Sequence, residues 1–237
     1  MPRLVDKIIL SSSSDIQHIY ETKQCVYTFL NPVSYLDALC NYGLFSKFDG
    51  IFADGSLLVT AIKVLYGKKI KRISFDMTSL ASILFEYASE HVKTLYIVAS
   101  KQEEVEQAIK IFKEHYPKLQ IVGYRNGYFE SNESEQKEAE FITNLNPDFL
   151  IVGMGALMQE QFLLKVKEAG FQGIGFTCGG FIHQTAQNKI DYYPQWINRM
   201  NLRFLYRMYK EKHTRKRYLQ AALIFPARFL YERIFGK

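Results

Sequence analysis

Two hydrophobic patterns alternate along this chain. Short apolar runs, several rich in β-branched and aromatic residues, occupy Val26–Leu30, Gly50–Ala53, Thr94–Ala99, Gln120–Tyr124, Phe149–Val152 and Gly173–Phe176, and their length and composition predict strands. Longer amphipathic stretches lie between them. Gln102–His115 and Glu133–Asn144 read as surface helices with Ser100 and Ser131 near their starts as caps, and SLLVTAIKVLYG, after Gly55, reads as another. The alternation predicts an α/β fold over residues 1–193, a mostly parallel, Rossmann-like sheet layered with helices. Past Cys178 the strand pattern stops, and from Pro194 the chain reads as successive helices, the last kinked or divided by Pro226. Residues 194–237 are therefore expected to form a helical extension. Parallel sheets place ligands at the carboxyl ends of their strands, which directs attention to the loops after Leu30, Ala53, Tyr124 and Val152.

At 237 residues, 48% hydrophobic and 23% charged, the chain has the composition of a globular protein with a sizeable core. No Pro/Ser/Gly-rich linker marks a seam, so one domain with an extension is expected. Cys25, Cys40 and Cys178 are odd in number and lack CxxC spacing, which suggests neither a disulfide framework nor a zinc site and favours a reducing cytoplasm. The opening MPRLVDKIIL has too few consecutive apolar residues for a signal peptide, and no stretch has the length of a membrane span.

The formal charge of +6 is unevenly spread. Residues 199–237 carry eleven Lys/Arg against two Glu, a local charge of +9, and the remaining 19 basic and 22 acidic residues leave the body near −3. A partner specific to the tail is implied.

Three loops could carry chemistry. In FADG, Asp54 sits at a strand-to-helix junction, where a carboxylate can take a proton from a bound hydroxyl or can simply cap a helix while Gly55 makes the turn. In VGMGALMQEQF a buried run ends in Gly153-x-Gly155 before a helix starting near Gln159, an arrangement that suits a phosphate or a plain tight turn. It lacks both the third glycine of a dinucleotide loop and the GKS/GKT ending of a nucleoside-triphosphate loop. The third, CGGFIHQTAQN at 178–188, is polar and glycine-rich, unlike a core segment; its His183 is a candidate base or a hydrogen-bonded structural residue. DxD, HExxH, GxSxG and Cys/His clusters do not occur, so no metal site and no cofactor is expected.

In order and spacing, TFLN (28–31), FADG (52–55), RISFD (72–76), GMGALMQE (153–160) and YYPQWINRMNLRFLYRMYKE (192–211) resemble the WecG/TagA/CpsF glycosyltransferase family of bacterial surface polysaccharide and teichoic-acid linkage-unit synthesis. The resemblance runs from about Thr28 to Tyr218. The chain departs from the family pattern at Leu157-Met158, where Pro-Lys is usual, at Ser74-Phe75, where a glycine precedes Asp76, in the spacing of Thr28 from Asn31, in HQTAQN at 183–188, and at Arg203, where a glutamate is usual.

The resemblance implies an inverting transfer from a UDP-sugar to a polyprenyl-diphosphate-linked sugar, with Asp54 as the base and no metal. It further implies a substrate pocket lined by Thr28, Asn31, Gly55 and Asp76, with Gln159 and Glu160 on sugar hydroxyls beside the Gly153–Gly155 loop and Arg72, Arg207 and Arg215 on the diphosphates. The tail adds its own signal. Its cations interleave with Trp196, Phe204, Tyr206, Tyr209, Tyr218, Phe225, Phe229, Tyr231 and Phe235, which suits an anionic membrane surface met by Lys216, Arg217, Arg228 and Arg233. The expected location is cytoplasmic, on the inner face of the cell membrane. Competing readings are a helical pair packed on the sheet with a solvated basic face, and nucleic-acid binding, for which no recognisable motif is present. A non-catalytic nucleotide-binding module docked by the tail is the alternative to an enzyme, and self-association is left open.

Overall fold

The structure, a computed structural model, describes residues 3–9, 18–188, 197, 202–210 and 215–235. Six strands form one wholly parallel sheet: β1 (Cys25–Leu30), β2 (Gly50–Ala53), β3 (Thr94–Ala99), β4 (Gln120–Arg125), β5 (Phe149–Gly153) and β6 (Ile174–Thr177), in the order β2-β1-β6-β5-β3-β4. All six expected strands are present within one residue at each end. Every residue of β5 and β6 is buried, as required of central parallel strands covered on both faces, whereas edge strand β4 has no fully buried residue.

Ten helices are described: α1 (Pro32–Cys40), α2 (Tyr42–Phe45), α3 (Ser56–Tyr66), α4 (Leu80–Glu90), α5 (Gln102–His115), α6 (Asn132–Leu145), α7 (Met158–Glu168), α8 (Phe181–Asn188), α9 (Arg203–Lys210) and α10 (Arg215–Phe235). Ser131 caps α6 as expected, its hydroxyl accepting from Ser134 N at 3.1 Å. Ser100 does not cap α5: it is a turn residue with φ 51°, and the helix begins after Lys101. The segment 178–188, expected to be a polar loop, is largely α8, because Phe181 and Ile182 give it an apolar face that packs into the core. Pro226 does not divide the last helix, since α10 runs unbroken from Arg215 to Phe235.

Strand periodicity sorts the core onto two sides. Tyr27, Phe52, Ile97, Ile151 and Phe176 point toward α4, α5 and α8, and Val26, Val98, Leu150 and Val152 toward α6 and α7. On this second side, at the β2 edge, Leu30, Ile51 and Ala53 pack with α1, α3 and two rings of α10, Phe225 and Phe229. The last helix rests mainly on α1 and α3: Tyr35 of α1 meets both rings, with centroids 5.8 and 5.2 Å away. The carboxyl ends of β1, β2, β5 and β6 are left to converge.

Candidate active site

A cavity of about 760 Å³ opens where those four strands end, between their loops and α9–α10. The loop after β4 takes no part in it; the turn after β6, Cys178–Gly180, takes that place. The four contributing strands are neighbours in the sheet, whereas β4 lies at the far edge.

Asp54 enters from the end of β2. Its backbone N–H bonds Leu30 O at 2.8 Å, tying the turn to β1, and Gly55 follows with φ 124°, a conformation that a side chain would strain. The side chain is about one-third exposed and lies 3.7 Å from Arg72 Nη1. Arg72 is held there because the next residue, Ile73, hydrogen-bonds Ala53 O at 3.0 Å. Asn31, also in the lining, caps α1: its side-chain oxygen accepts from Val33 N and Ser34 N at 2.9 and 3.1 Å, leaving its amide NH2 as the remaining polar function.

The floor is a buried polar network. Glu160, in the first turn of α7, accepts from Thr28 Oγ1 at 3.0 Å, from Gln159 Nε2 at 2.8 Å and from Leu157 N at 2.7 Å. Gln159 Oε1 in turn accepts from Gly179 N at 3.1 Å, and the Thr28 and Thr177 hydroxyls are 2.9 Å apart. Burial pushes the Glu160 carboxyl above its ordinary range, against the opposing pull of these donors. Gln159 and Glu160 line the cavity as the resemblance implied, but Thr28 does not: it is fully buried and reaches the site through its partners Glu160 and Thr177. Gly153 is likewise outside the lining; a Cβ there would stand 2.6 Å from Cys178 Sγ and 2.9 Å from Gly179 O, so glycine is what lets β5 meet the turn after β6. Gly155, with φ 85°, is also outside the lining, and Ala156 faces the cavity instead.

Asp76, also in the lining, has both oxygens occupied. Oδ1 accepts from Thr78 N and Thr78 Oγ1 at 2.9 and 2.6 Å; Oδ2 accepts from Ser74 Oγ at 2.6 Å and Arg203 Nη1 at 2.6 Å. Although burial acts to raise it, the Arg203 guanidinium and these donors hold the Asp76 carboxyl below its ordinary value. Arg203 and the aromatic and aliphatic side chains of α9 beside it line the cavity.

The remaining expected residues separate. Arg217, expected at a membrane, lines the cavity and bonds Asp37 Oδ2 at 3.2 Å, whereas Arg215 is outside the lining and donates to Met208 O at 2.8 Å. Lys216 and Arg228 are exposed; Arg233 donates to Leu65 O at 2.9 Å and covers the Tyr66 ring at 5.3 Å. The Arg207 side chain and Trp196 lie outside the described residues. His183 is not a cavity residue: its Nδ1 sits 2.7 Å from Glu104 Oε1, joining α8 to α5. Cys178 lines the cavity, but burial pushes its thiol up to about 12, which leaves it protonated at neutral pH. Among the described residues no group of three or more His, Cys, Asp or Glu is arranged to hold a metal ion, and no helix is long and apolar enough to cross a membrane.

The model of the WecG/TagA/CpsF glycosyltransferase family matches residues 10–237. The chain belongs to that family. It is 35% identical over 233 residues, 98% of this chain and 97% of the relative, to a UDP-Gal:alpha-D-GlcNAc-diphosphoundecaprenol beta-1,4-galactosyltransferase of Shigella boydii. It is 25% identical, over 98% of its own length and 90% of the relative's, to an N-acetylglucosaminyldiphosphoundecaprenol N-acetyl-beta-D-mannosaminyltransferase of Bacillus spizizenii. A Bacillus subtilis protein of the same description is 25% identical over 53% of this chain and 47% of the relative. The departures from the glycosyltransferase pattern now have a structural setting. Ser74 and Arg203 touch at 3.2 Å and share Asp76, and Leu157 adopts φ 70°, which the ring of the family's proline would forbid. Arg203 was visible in the sequence only as a departure; its partners are 125 to 129 residues away and no local pattern joins them.

Proposed function

We propose that this glycosyltransferase moves a sugar from a UDP-sugar to an N-acetylglucosaminyl-diphosphate polyprenol, with inversion at the transferred carbon. The observation that carries the reading is the position of Asp54: a carboxylate at a strand end, in a cavity it shares with Arg72, Asn31, Gln159 and Glu160. The relatives' names support the acceptor, and the Shigella relative's name supports a UDP donor and a β-product.

In the reaction, Asp54 takes the proton of the acceptor hydroxyl as its oxygen attacks the anomeric carbon opposite the leaving group. The bond from that carbon to the UDP oxygen breaks, an α-linked donor gives a β-linked product, and UDP departs with the bond's electron pair. Arg72, which lines the cavity beside Asp54, meets the diphosphate charge without a divalent metal. Gln159 and Glu160, locked to each other and to Gly179, present a rigid floor for the sugar.

The C-terminal helices also bring the enzyme to its lipid-linked acceptor on the inner face of the cell membrane. Leu219, Leu223, Ile234 and Phe235 are more than half exposed on α10, and Tyr209 on α9, interspersed with Lys216 and Arg228. The test is turnover by purified protein with detergent-dispersed N-acetylglucosaminyl-diphosphate undecaprenol and a panel of UDP-sugars beginning with UDP-galactose, with and without EDTA. UDP release and a new β-linked disaccharide are expected in both conditions. Absence of release with every donor would leave a non-catalytic nucleotide-binding module, and release only with added metal would overturn the metal-free mechanism.

A further inference from the structure

A dense polar contact between the C-terminal helices and the cavity wall lies at the start of α9. Arg203 Nη1 bonds Asp76 Oδ2 at 2.6 Å and Ser74 Oγ at 3.2 Å, and its Nη2 bonds Thr78 Oγ1. The guanidinium is only 12% exposed and the carboxylate 16%, so the pair is shielded from the solvent that weakens surface ion pairs. Asp76 is prepared for this partner: Ser74 and Thr78 hydroxyls and the Thr78 N–H fill its other positions. The carboxylate is thereby committed to holding an arginine and is poorly placed to work as a second base. Downstream of Arg203, Phe204, Leu205 and Met208 of the same helix line the cavity that Asn31 and Asp54 also line.

We propose that Arg203 is a positioning residue that latches α9 over the cavity, so that the site closes on its sugar-diphosphate and water is kept from the anomeric carbon during transfer. The proposal rests on the glycosyltransferase reading above. An active site that must deliver an activated sugar to a hydroxyl, and not to water, needs such a roof, because a water molecule in the acceptor position gives free sugar and UDP by the same bond changes. The roof is a short, eight-residue helix, and helices this short are unstable by themselves. A shielded multidentate arginine clamp supplies the fixed point.

Full-length Arg203→Gln and Arg203→Lys proteins test it, each first checked for a wild-type melting curve. With a UDP-sugar that the wild type transfers, Arg203→Gln is expected to raise the ratio of donor hydrolysis to transfer and the donor KM by about tenfold each, the scale of losing one charge-assisted contact. Arg203→Lys, keeping the charge but not the fork, should fall between. Chymotrypsin, cutting at Phe204, Tyr206 and Tyr209, should nick Arg203→Gln about tenfold faster than wild type. Faster nicking with an unchanged hydrolysis ratio would reduce Arg203 to a structural contact and overturn the proposal, as would unchanged nicking. If the wild type transfers no sugar, the function reading has failed separately, and the nicking rates still decide whether the latch exists.

Discussion

The strand-end floor of the cavity and the C-terminal helices that roof it are stabilised in opposite ways. On the floor every polar group is tied to a neighbour on a buried strand or helix terminus: Thr28, Glu160, Gln159 and Gly179 form one chain of hydrogen bonds among residues at most a few per cent exposed, apart from the glycine turn itself. In the C-terminal helices, a few buried side chains carry a mostly exposed surface. Of the 21 residues of α10 only Ala221, Phe225, Phe229 and Glu232 are buried. The floor can therefore keep reacting groups in fixed places, while α10 leaves one side free to meet something else.

The sharpest way to break that comparison is at the floor's rim. Asp54→Asn keeps shape and removes the carboxylate proposed as the base, and kcat for transfer should fall by about 10²- to 10⁴-fold with donor affinity retained. Calorimetric titration of the donor beside a UDP-release assay checks both halves; kcat within about threefold of wild type would show that Asp54 is not the base.

Next in size is a contrast within α10. Phe229→Ala empties a site packed between Tyr35, Tyr66 and Phe225 and should cost about 3–5 kcal/mol. Leu223→Ala, at a position 81% exposed, should change stability by no more than about 0.5 kcal/mol. Urea unfolding of both variants measures the difference, and equal effects would mean that α10 is not held by its buried stripe.

The same contrast explains what was legible in the sequence. Strands β3 and β5 and helix α5 announce themselves through period and composition, because each is buried by partners that any parallel sheet would provide. The FADG turn was also readable, its aspartate and glycine being adjacent. Helix α1 is not among the elements that the periodicity predicts, although Asn31-Pro32 is a cap followed by proline at the first helical position. The 178–188 segment misled because Gly179-Gly180 and its amides look like a loop, while burial of Phe181, Ile182, Gln184 and Thr185 comes from tertiary packing. Thr28 could be assigned to the site but not to its place beneath it, since that depends on Glu160, 132 residues on.

A smaller effect separates the tail's cations from one another. Lys216→Gln and Arg228→Gln should each weaken binding to anionic vesicles by about 1 kcal/mol and leave folding untouched. Arg233→Gln should also lower stability, because that arginine bonds the Leu65 carbonyl and covers Tyr66. Vesicle co-sedimentation at physiological salt, paired with melting curves, distinguishes the two kinds. If Lys216→Gln and Arg228→Gln sediment as well as wild type does, the exposed side of α10 is a solvated basic face and not a membrane surface.

The smallest expected effect is the dependence of the tail's attachment on pH. Glu232 is buried on α10 and accepts from Tyr35 Oη at 2.6 Å. Burial raises its carboxyl above the ordinary 4.5, while the Tyr35 hydroxyl, the Leu4 N–H and Arg3 pull the other way and Asp6 adds to the rise. An acid whose value is raised by folding stabilises the native state fully below its unfolded value, and that contribution is lost as pH climbs through the folded value. Glu232→Gln removes the titration and keeps an oxygen for Tyr35 to donate to. The variant's stability relative to wild type should therefore rise steadily as pH is taken from below 4.5 toward neutrality, the reverse of what loss of a stabilising ion pair would give. Parallel stability curves for the two proteins over that range would mean that burial does not disfavour the ionised Glu232, and the expected pH dependence would fail.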